Sequence, residues 1–396
     1  MTGYEMSPAQ GAGAKLTRPA ELICFALLVI NVVYLAASYA RGLWLETGGG
    51  PTDFVTIWAA GRMALAGHAA AAYDWPSLKA IDESAVGPFN GYLGWPYPPT
   101  FLFVAAGLAL MPYVGAFALW VFGTFLAYLA TIRSIVGDRV GYFLAAAFPA
   151  VLANFLVGQT SFLTAALIGG TLMLLERRPI SAGILLGLLT YKPHLGLLFP
   201  VALIAAGHWR AFVTAGIVAV LMVAASWIAF GGESWQAFAP GIGHALVSDG
   251  AADWGKLQSA FGLVRALGGS DVIAWAVQIA VAIVVAAAIA LLWRSDAAYE
   301  IKAAALSVGA LLATPHLLTY DLVVLAVPLA FLIRLGRARG FLPHEMAGIG
   351  FACLLILIYP FVQAPVGFAA VVVVAVLVAK RVAEKSGRAG STLKVS

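Results

Sequence analysis

Apolar runs of roughly 20 residues recur along this chain between short basic loops, and that length matches the hydrocarbon core of a bilayer. Of 396 residues, 62% are hydrophobic and 10% charged, where a soluble domain carries about 25% charged residues. Inside a bilayer every main-chain polar group must be satisfied by the protein itself, and the length of the runs favours helices over a barrel. The expected fold class is an all-α polytopic membrane protein. The net charge of +5 does not point to nucleic acid, because the basic residues sit singly or in small groups between the runs, as the positive-inside rule requires. Cys24 and Cys353 both lie inside apolar runs and read as packing residues. No Cys/His ligand cluster is visible.

The basic residues orient the runs. Lys15 and Arg18, Arg133 and Arg139, Arg177 and Arg178, His208 and Arg210, Arg294 and Lys302, Arg334 with Arg337 and Arg339, and the tail from Lys380 to Arg388 are assigned to the cytoplasm. Outer turns then fall near Gly158-Gln159, Tyr191 to His194, Thr314 to Tyr320 and Tyr359 to Pro365. Two longer outer segments span about 43–96 and 231–270, and about 12 crossings are expected. Residues 1–18 and 381–396 read as cytoplasmic tails around one membrane domain, 19–380. The first run reads as an uncleaved anchor, although Ser38-Tyr39-Ala40 resembles a cleavage site. Tyr97 to Ile132 reads as one crossing plus a re-entrant piece broken near Met111-Pro112. Only about 13 residues separate Arg178 from Tyr191, or about 20 Å of helix against a core of about 30 Å, so the turn at Lys192 should lie inside the outer leaflet. Irregular backbone at that depth is tolerated where it lines protein or a wet pocket.

Polar groups converge on the outer side: Asp53, Arg62, Asn154, Gln159, Lys192, His194, Lys256, Gln258, Arg265, His316, Tyr320 and Asp321. Ionisable residues at membrane depth are costly and mark function. Cations can neutralise a phosphate leaving group, and a carboxylate can take the proton of an attacking hydroxyl. Glycosyl transfer from a lipid phosphate needs both.

The constellation resembles the GT-C superfamily of membrane glycosyltransferases. Within it the chain is similar to glycosyltransferase family 87, the bacterial polyprenyl-phosphomannose-dependent α-mannosyltransferases. The resemblance rests on Asp53 with Trp58-Ala-Ala-Gly61-Arg62 and Gly67, on Tyr73-Asp74 and Tyr97-Pro98-Pro99, on Gly158-Gln159 and Lys192-Pro193-His194, and on Gln258-Ser259 with Arg265 and Pro315-His316 with Tyr320-Asp321. It implies a GT-C-type helix bundle with juxtamembrane helices in its two outer loops. The active site would face outward from a bacterial-type plasma membrane. The donor would be a polyprenyl-phosphate sugar, with mannose as the implied sugar, and the acceptor a glycolipid or glycan. The reaction would invert the anomeric centre to give an α-glycoside. Asp53 would be the catalytic base, and Lys192, Arg265 and His316 would hold the donor phosphate. Trp58, Arg62, Tyr97, Gln159, His194, Gln258, Tyr320 and Asp321 would contact substrate. No cofactor is implied beyond the lipid co-substrate. Asp53 has no adjacent acid, so no metal is expected. The partners expected are the lipid donor, the acceptor and membrane lipids, without nucleic acid.

Structural readings stand beside these. Asp53 is also a favoured helix N-cap. Arg62 and Lys192 can snorkel, His194 can pack, and Asp321 can sit deeper as a structural partner. Asp74, Asp82 and Glu83 read as solvated loop charges, and His68, His208 and His344 as interfacial residues. A transporter or flippase of lipid-linked sugars is the main rival, but such proteins show internal repeats and mid-span charges, and no repeat is evident here.

Overall fold

The computed structural model of the chain describes residues 22, 25–34, 36–37, 52–247, 254–362 and 364–392. The expected N-terminal tail, Cys24 and the Ser38-Tyr39-Ala40 site lie outside the described residues. Among the described residues the protein is helical and no strand forms; one isolated antiparallel bridge joins Leu257 to Leu318. Five helices are long and apolar enough to cross a bilayer: Tyr113–Val136, Trp209–Phe230, Asp271–Arg294, Thr319–Arg339 and Val366–Glu384. A sixth is possible if Val140–Ala146 and Ala150–Val157, bent by 64°, count as one span. The shorter apolar helices, among them Phe25–Tyr34 and Ser161–Leu174, do not reach that length, so helix length does not carry the twelve crossings inferred from charge.

The first expected outer segment contains helices α1 (Phe54–Leu65) and α2 (Trp75–Val86). Helix α1 packs closely on Leu102–Ala109, and Gly61 permits it: a Cβ there would come within 2.0 Å of the Ala105 carbonyl oxygen. The chain then breaks at Met111-Pro112 and enters α3 (Tyr113–Val136), a full-length helix. Pro112 starts α3 and Gly137, at φ 98, ends it, matching the preference for proline at helix starts and left-handed glycine at helix ends. One full helix and one short piece thus fill the region read as a crossing plus a re-entrant segment.

Gly158, at φ 67, ends the helix Ala150–Val157, and α4 (Ser161–Leu174) follows. The next hairpin is broken: a helix over Pro179–Gly187 tightens into a 3₁₀ turn over Leu188–Tyr191, and Lys192 (φ −130, ψ 66) lies outside helical geometry before Pro193. Helix α5 (Trp209–Val247) kinks at Gly231, φ 77. The second expected outer segment continues α5 and then forms a short helix at Ala260–Ala266.

Three ion pairs tie together the ends that charge assigns to the cytoplasm. Arg337 pairs with Asp138 at 2.6 Å and Arg334 with Glu300 at 3.6 Å. Arg381 donates from Nε to Glu345 Oε1 at 2.7 Å, and their side chains are 5% and 1% exposed. The last helix, α6 (Val366–Thr392), runs through the boundary expected at residue 380. Arg381 is therefore a buried strut within that helix.

Removing one partner of a buried pair strands a charge and costs about 3–5 kcal/mol, whereas replacing both by apolar residues is close to neutral. Arg381→Met should therefore lower the thermal unfolding temperature of the detergent-solubilised protein sharply. Arg381→Met with Glu345→Leu should recover most of the loss.

Candidate functional site

Asp53 occupies the N-cap position of α1 with helical backbone angles (φ −56, ψ −21), and its side chain makes no capping hydrogen bond. The capping reading of its carboxylate is not what the structure shows. Asp53 Oδ2 instead accepts from Gln159 Nε2 at 2.9 Å, across 106 residues of sequence. Local sequence explains the approach. Gly158 takes the left-handed conformation and presses on α1, where a Cβ would lie 2.7 Å from Phe54 Cβ and from Phe117 Cε2. The Trp120 indole holds that turn by donating to the Gly158 carbonyl at 2.9 Å. Behind Gln159, its Oε1 accepts from the Tyr97 hydroxyl at 2.6 Å and from the Thr160 main-chain N–H at 3.2 Å. The Tyr97 carbonyl accepts in turn from the Tyr73 hydroxyl at 2.9 Å. Tyr97 and Gln159 are both buried.

A second group lies on the other side of the same turn. Lys192 Nζ and Asp321 Oδ1 are 2.6 Å apart, with side chains 8% and 3% exposed. Such a pair survives burial when further hydrogen bonds satisfy its remaining valences. Here Ser161 Oγ donates to Asp321 Oδ1 at 3.0 Å, and the Leu318 N–H donates to Oδ2 at 3.3 Å. The Lys192 ammonium also sits 5.6 Å from the centre of the Tyr320 ring, within cation–π range. His194 lies within electrostatic reach of this pair, and His316 within reach of His194. The strand of chain that carries His316 is sewn to the second expected outer segment: Gln258 N–H donates to the Leu317 carbonyl at 2.6 Å and Ser259 Oγ to the Pro315 carbonyl at 2.6 Å.

Gln159 and Ser161, two positions apart at the start of α4, thus bind the two carboxylates. The Tyr97 hydroxyl lies within electrostatic reach of both Asp53 and Asp321. The structure therefore gathers Asp53, Tyr97, Gln159, Lys192, His194, His316, Tyr320 and Asp321 around one turn. Four expected residues are engaged elsewhere. Arg62 is exposed and stacks over Trp58 at 5.6 Å, nine positions past Asp53, or about 14 Å along α1. The Trp58 indole donates to the Met111 carbonyl at 3.0 Å. Gln258 spends its side-chain amide on the main chain, donating to Gly255 and accepting from Gly367, both at 2.7 Å. Arg265 Nε lies 3.0 Å from Asp271 Oδ1, and its guanidinium sits 4.4 Å from the Trp254 ring centre.

Sequence reasoning missed Ser161, although a Gly-Gln-Thr-Ser run ahead of an apolar helix is a legible helix start. It also misread Asp82. That carboxyl is wholly buried on α2, and neither oxygen meets a hydrogen-bond donor among the described residues. Burial, with Glu83 beside it as a smaller cause, pushes it up to about 7. A cavity of about 470 Å³ opens at the far end of α1 from Asp53, between His68 and Ala69 on one side and Phe230, Gly231 and Glu233 on the other. Among the described residues no three His, Cys, Asp or Glu side chains are grouped to hold a metal ion.

A family model, glycosyltransferase family 87, matches residues 95–319, more than half of the chain. The chain belongs to glycosyltransferase family 87. It is a membrane glycosyltransferase, and membership of the GT-C superfamily is consistent with that. No curated protein and no solved structure matches the chain. The matched region of this family 87 member holds Tyr97, Gln159, Lys192, His194 and His316. Asp53 precedes it, and Tyr320 and Asp321 follow it directly.

Asp82 yields a stability prediction. Its folded pKa is raised, so its contribution is fully present below the ordinary Asp value of about 3.9 and is lost as pH rises to about 7. Thermal unfolding followed across that window should show stability declining toward neutral pH and levelling above it. Asp82→Asn should flatten the decline.

Proposed function

We propose that the protein transfers a hexose, mannose by family resemblance, from a polyprenyl-phosphate donor to a hydroxyl of a glycolipid or glycan at the extracytoplasmic face. The observation that carries this reading is the pairing of a partly exposed carboxylate and a buried cation on one turn: Gln159 holds Asp53, and Ser161 holds the partner of Lys192. Inverting transfer from a lipid phosphate needs a base on one side of the anomeric carbon and positive charge on the other.

In this mechanism Asp53 takes the proton of the acceptor hydroxyl as its oxygen attacks the anomeric carbon. The bond from that carbon to the phosphate oxygen breaks, and polyprenyl phosphate leaves with the electron pair. Attack from the face opposite the phosphate inverts the centre, so a β-linked donor gives an α-glycoside. Lys192 and His316 stabilise the departing phosphate. Asp321 holds Lys192 in place before the donor arrives, so phosphate joins an existing charge pair instead of meeting a lone buried ammonium. Arg265, engaged with Asp271 and Trp254, has no part in this step. Polyprenyl chains occupy grooves between the helices.

Asp53→Asn should abolish transfer of labelled mannose from polyprenyl-phosphate mannose to membrane glycolipids while donor binding persists. Full turnover by that variant would remove Asp53 from the role of base. Lys192→Gln combined with Asp321→Asn leaves no stranded charge, so the protein should fold. Its donor KM should rise tenfold or more, the effect of losing one charge-assisted hydrogen bond of about 1.5–3 kcal/mol. An unchanged donor KM would place the phosphate elsewhere.

A further inference from the structure

The Asp53 carboxylate is not fixed by the helix it begins, because it makes no capping bond there. Gln159, a residue read from sequence as a substrate contact, donates to it instead. The direction of that amide follows from chemistry. Gln159 Oε1 faces two donors, the Tyr97 hydroxyl and the Thr160 N–H, so its Nε2 must face the carboxylate. Reversing the amide would set donor against donor at one end and oxygen against oxygen at the other. The backbone beneath it is also fixed, since Gly158 fits against Phe54 only without a side chain and its carbonyl is held by Trp120.

We propose that Gln159 is the positioning residue for the catalytic base, with Tyr97 as its anchor. This rests on the reading of Asp53 as base. The amide donates to Oδ2, fixes the plane of the carboxylate toward the acceptor hydroxyl and favours its ionised form. An amide does not titrate in the working range, so it can hold the base without competing for the proton the base must take. A glutamate of the same length would compete. Gln159 then acts on kcat, through the base, and not on donor affinity. The charged and titratable groups facing this spot include Asp53 itself, Tyr97 behind the amide, and Asp321 and Tyr191 within electrostatic reach of Tyr97.

The experiment compares Asp53→Asn, Gln159→Leu, Gln159→Glu and Tyr97→Phe in purified full-length protein, with polyprenyl-phosphate mannose as donor. It reads kcat and donor KM across pH. Gln159→Leu should lose about a hundredfold in kcat, the scale of a slightly misplaced reactive group, with donor KM little changed. Gln159→Glu is isosteric and should fold. At acid pH it shares one proton with Asp53 and donates as the amide does, so activity approaches wild type there. As pH rises the two carboxylates repel each other, and activity falls away where the wild type does not. Tyr97→Phe should show a smaller loss confined to kcat. The proposal is overturned if Gln159→Leu keeps wild-type kcat, if its loss falls on donor KM alone, or if Gln159→Glu follows the wild-type pH profile. If Asp53→Asn is inactive while the Gln159 variants behave as wild type, only the positioning role fails. If Asp53→Asn turns over normally, the base assignment itself fails.

Discussion

The turn from Gly158 to Ser161 is the constraint on which the rest of the site depends. It joins two regions that the chain keeps far apart: Asp53 at the head of α1, and the ion pair of Lys192 with Asp321. Each contact is short and specific, with Gln159 to Asp53 at 2.9 Å and Ser161 to Asp321 at 3.0 Å. The turn can approach α1 only because residue 158 lacks a side chain. The carboxylate and the cation that the proposed mechanism sets on opposite sides of one carbon are therefore held by a segment four residues long.

The ion pair shows how the fold tolerates charge at this depth. Lys192 sits where a helix gives way to a 3₁₀ turn and then to proline, so it lies outside regular helix. An isolated ammonium there would be expensive. Asp321, Ser161, the Leu318 N–H and the Tyr320 ring together compensate it. The same arrangement appears elsewhere in the molecule, where Arg381 and Glu345 close a buried contact. The difference is that the Lys192 pair has histidines and the Tyr97 network around it, whereas the Arg381 pair is joined mainly to main chain at Gly340 and Leu342.

Much of this was legible in the residues alone. Apolar runs and scarce charge are local properties, and they identify a helical membrane protein. The short hairpin at Lys192 could be read as irregular because helix length is simple arithmetic. The order of short motifs pointed to the family. The partners of the charges were not legible, because Asp53 and Gln159 are 106 residues apart and Lys192 and Asp321 are 129 apart, and no local pattern encodes such contacts. Gln159 and Gln258 looked alike as outer polar residues. Only packing shows that one faces Asp53 while the other is spent on main chain. Asp82 looked solvated because its neighbours on α2 are polar, although it shares the buried face with Leu78. Helix length among the described residues supports five or six crossings and leaves the expected twelve unsupported, because charge patterning reports sidedness, not whether a given helix is long enough to span.

The central claim is that Asp53 and Lys192 face a single reaction centre across this turn. Cryo-electron microscopy of the protein in lipid nanodiscs, with a non-transferable polyprenyl-phosphate sugar bound, tests it most directly. The account predicts the donor phosphate against Lys192 and His316, with the anomeric carbon turned toward Asp53 and Gln159 still on the carboxylate. A phosphate seated instead in the cavity between His68 and Glu233, with Asp53 facing away from the sugar, would contradict it.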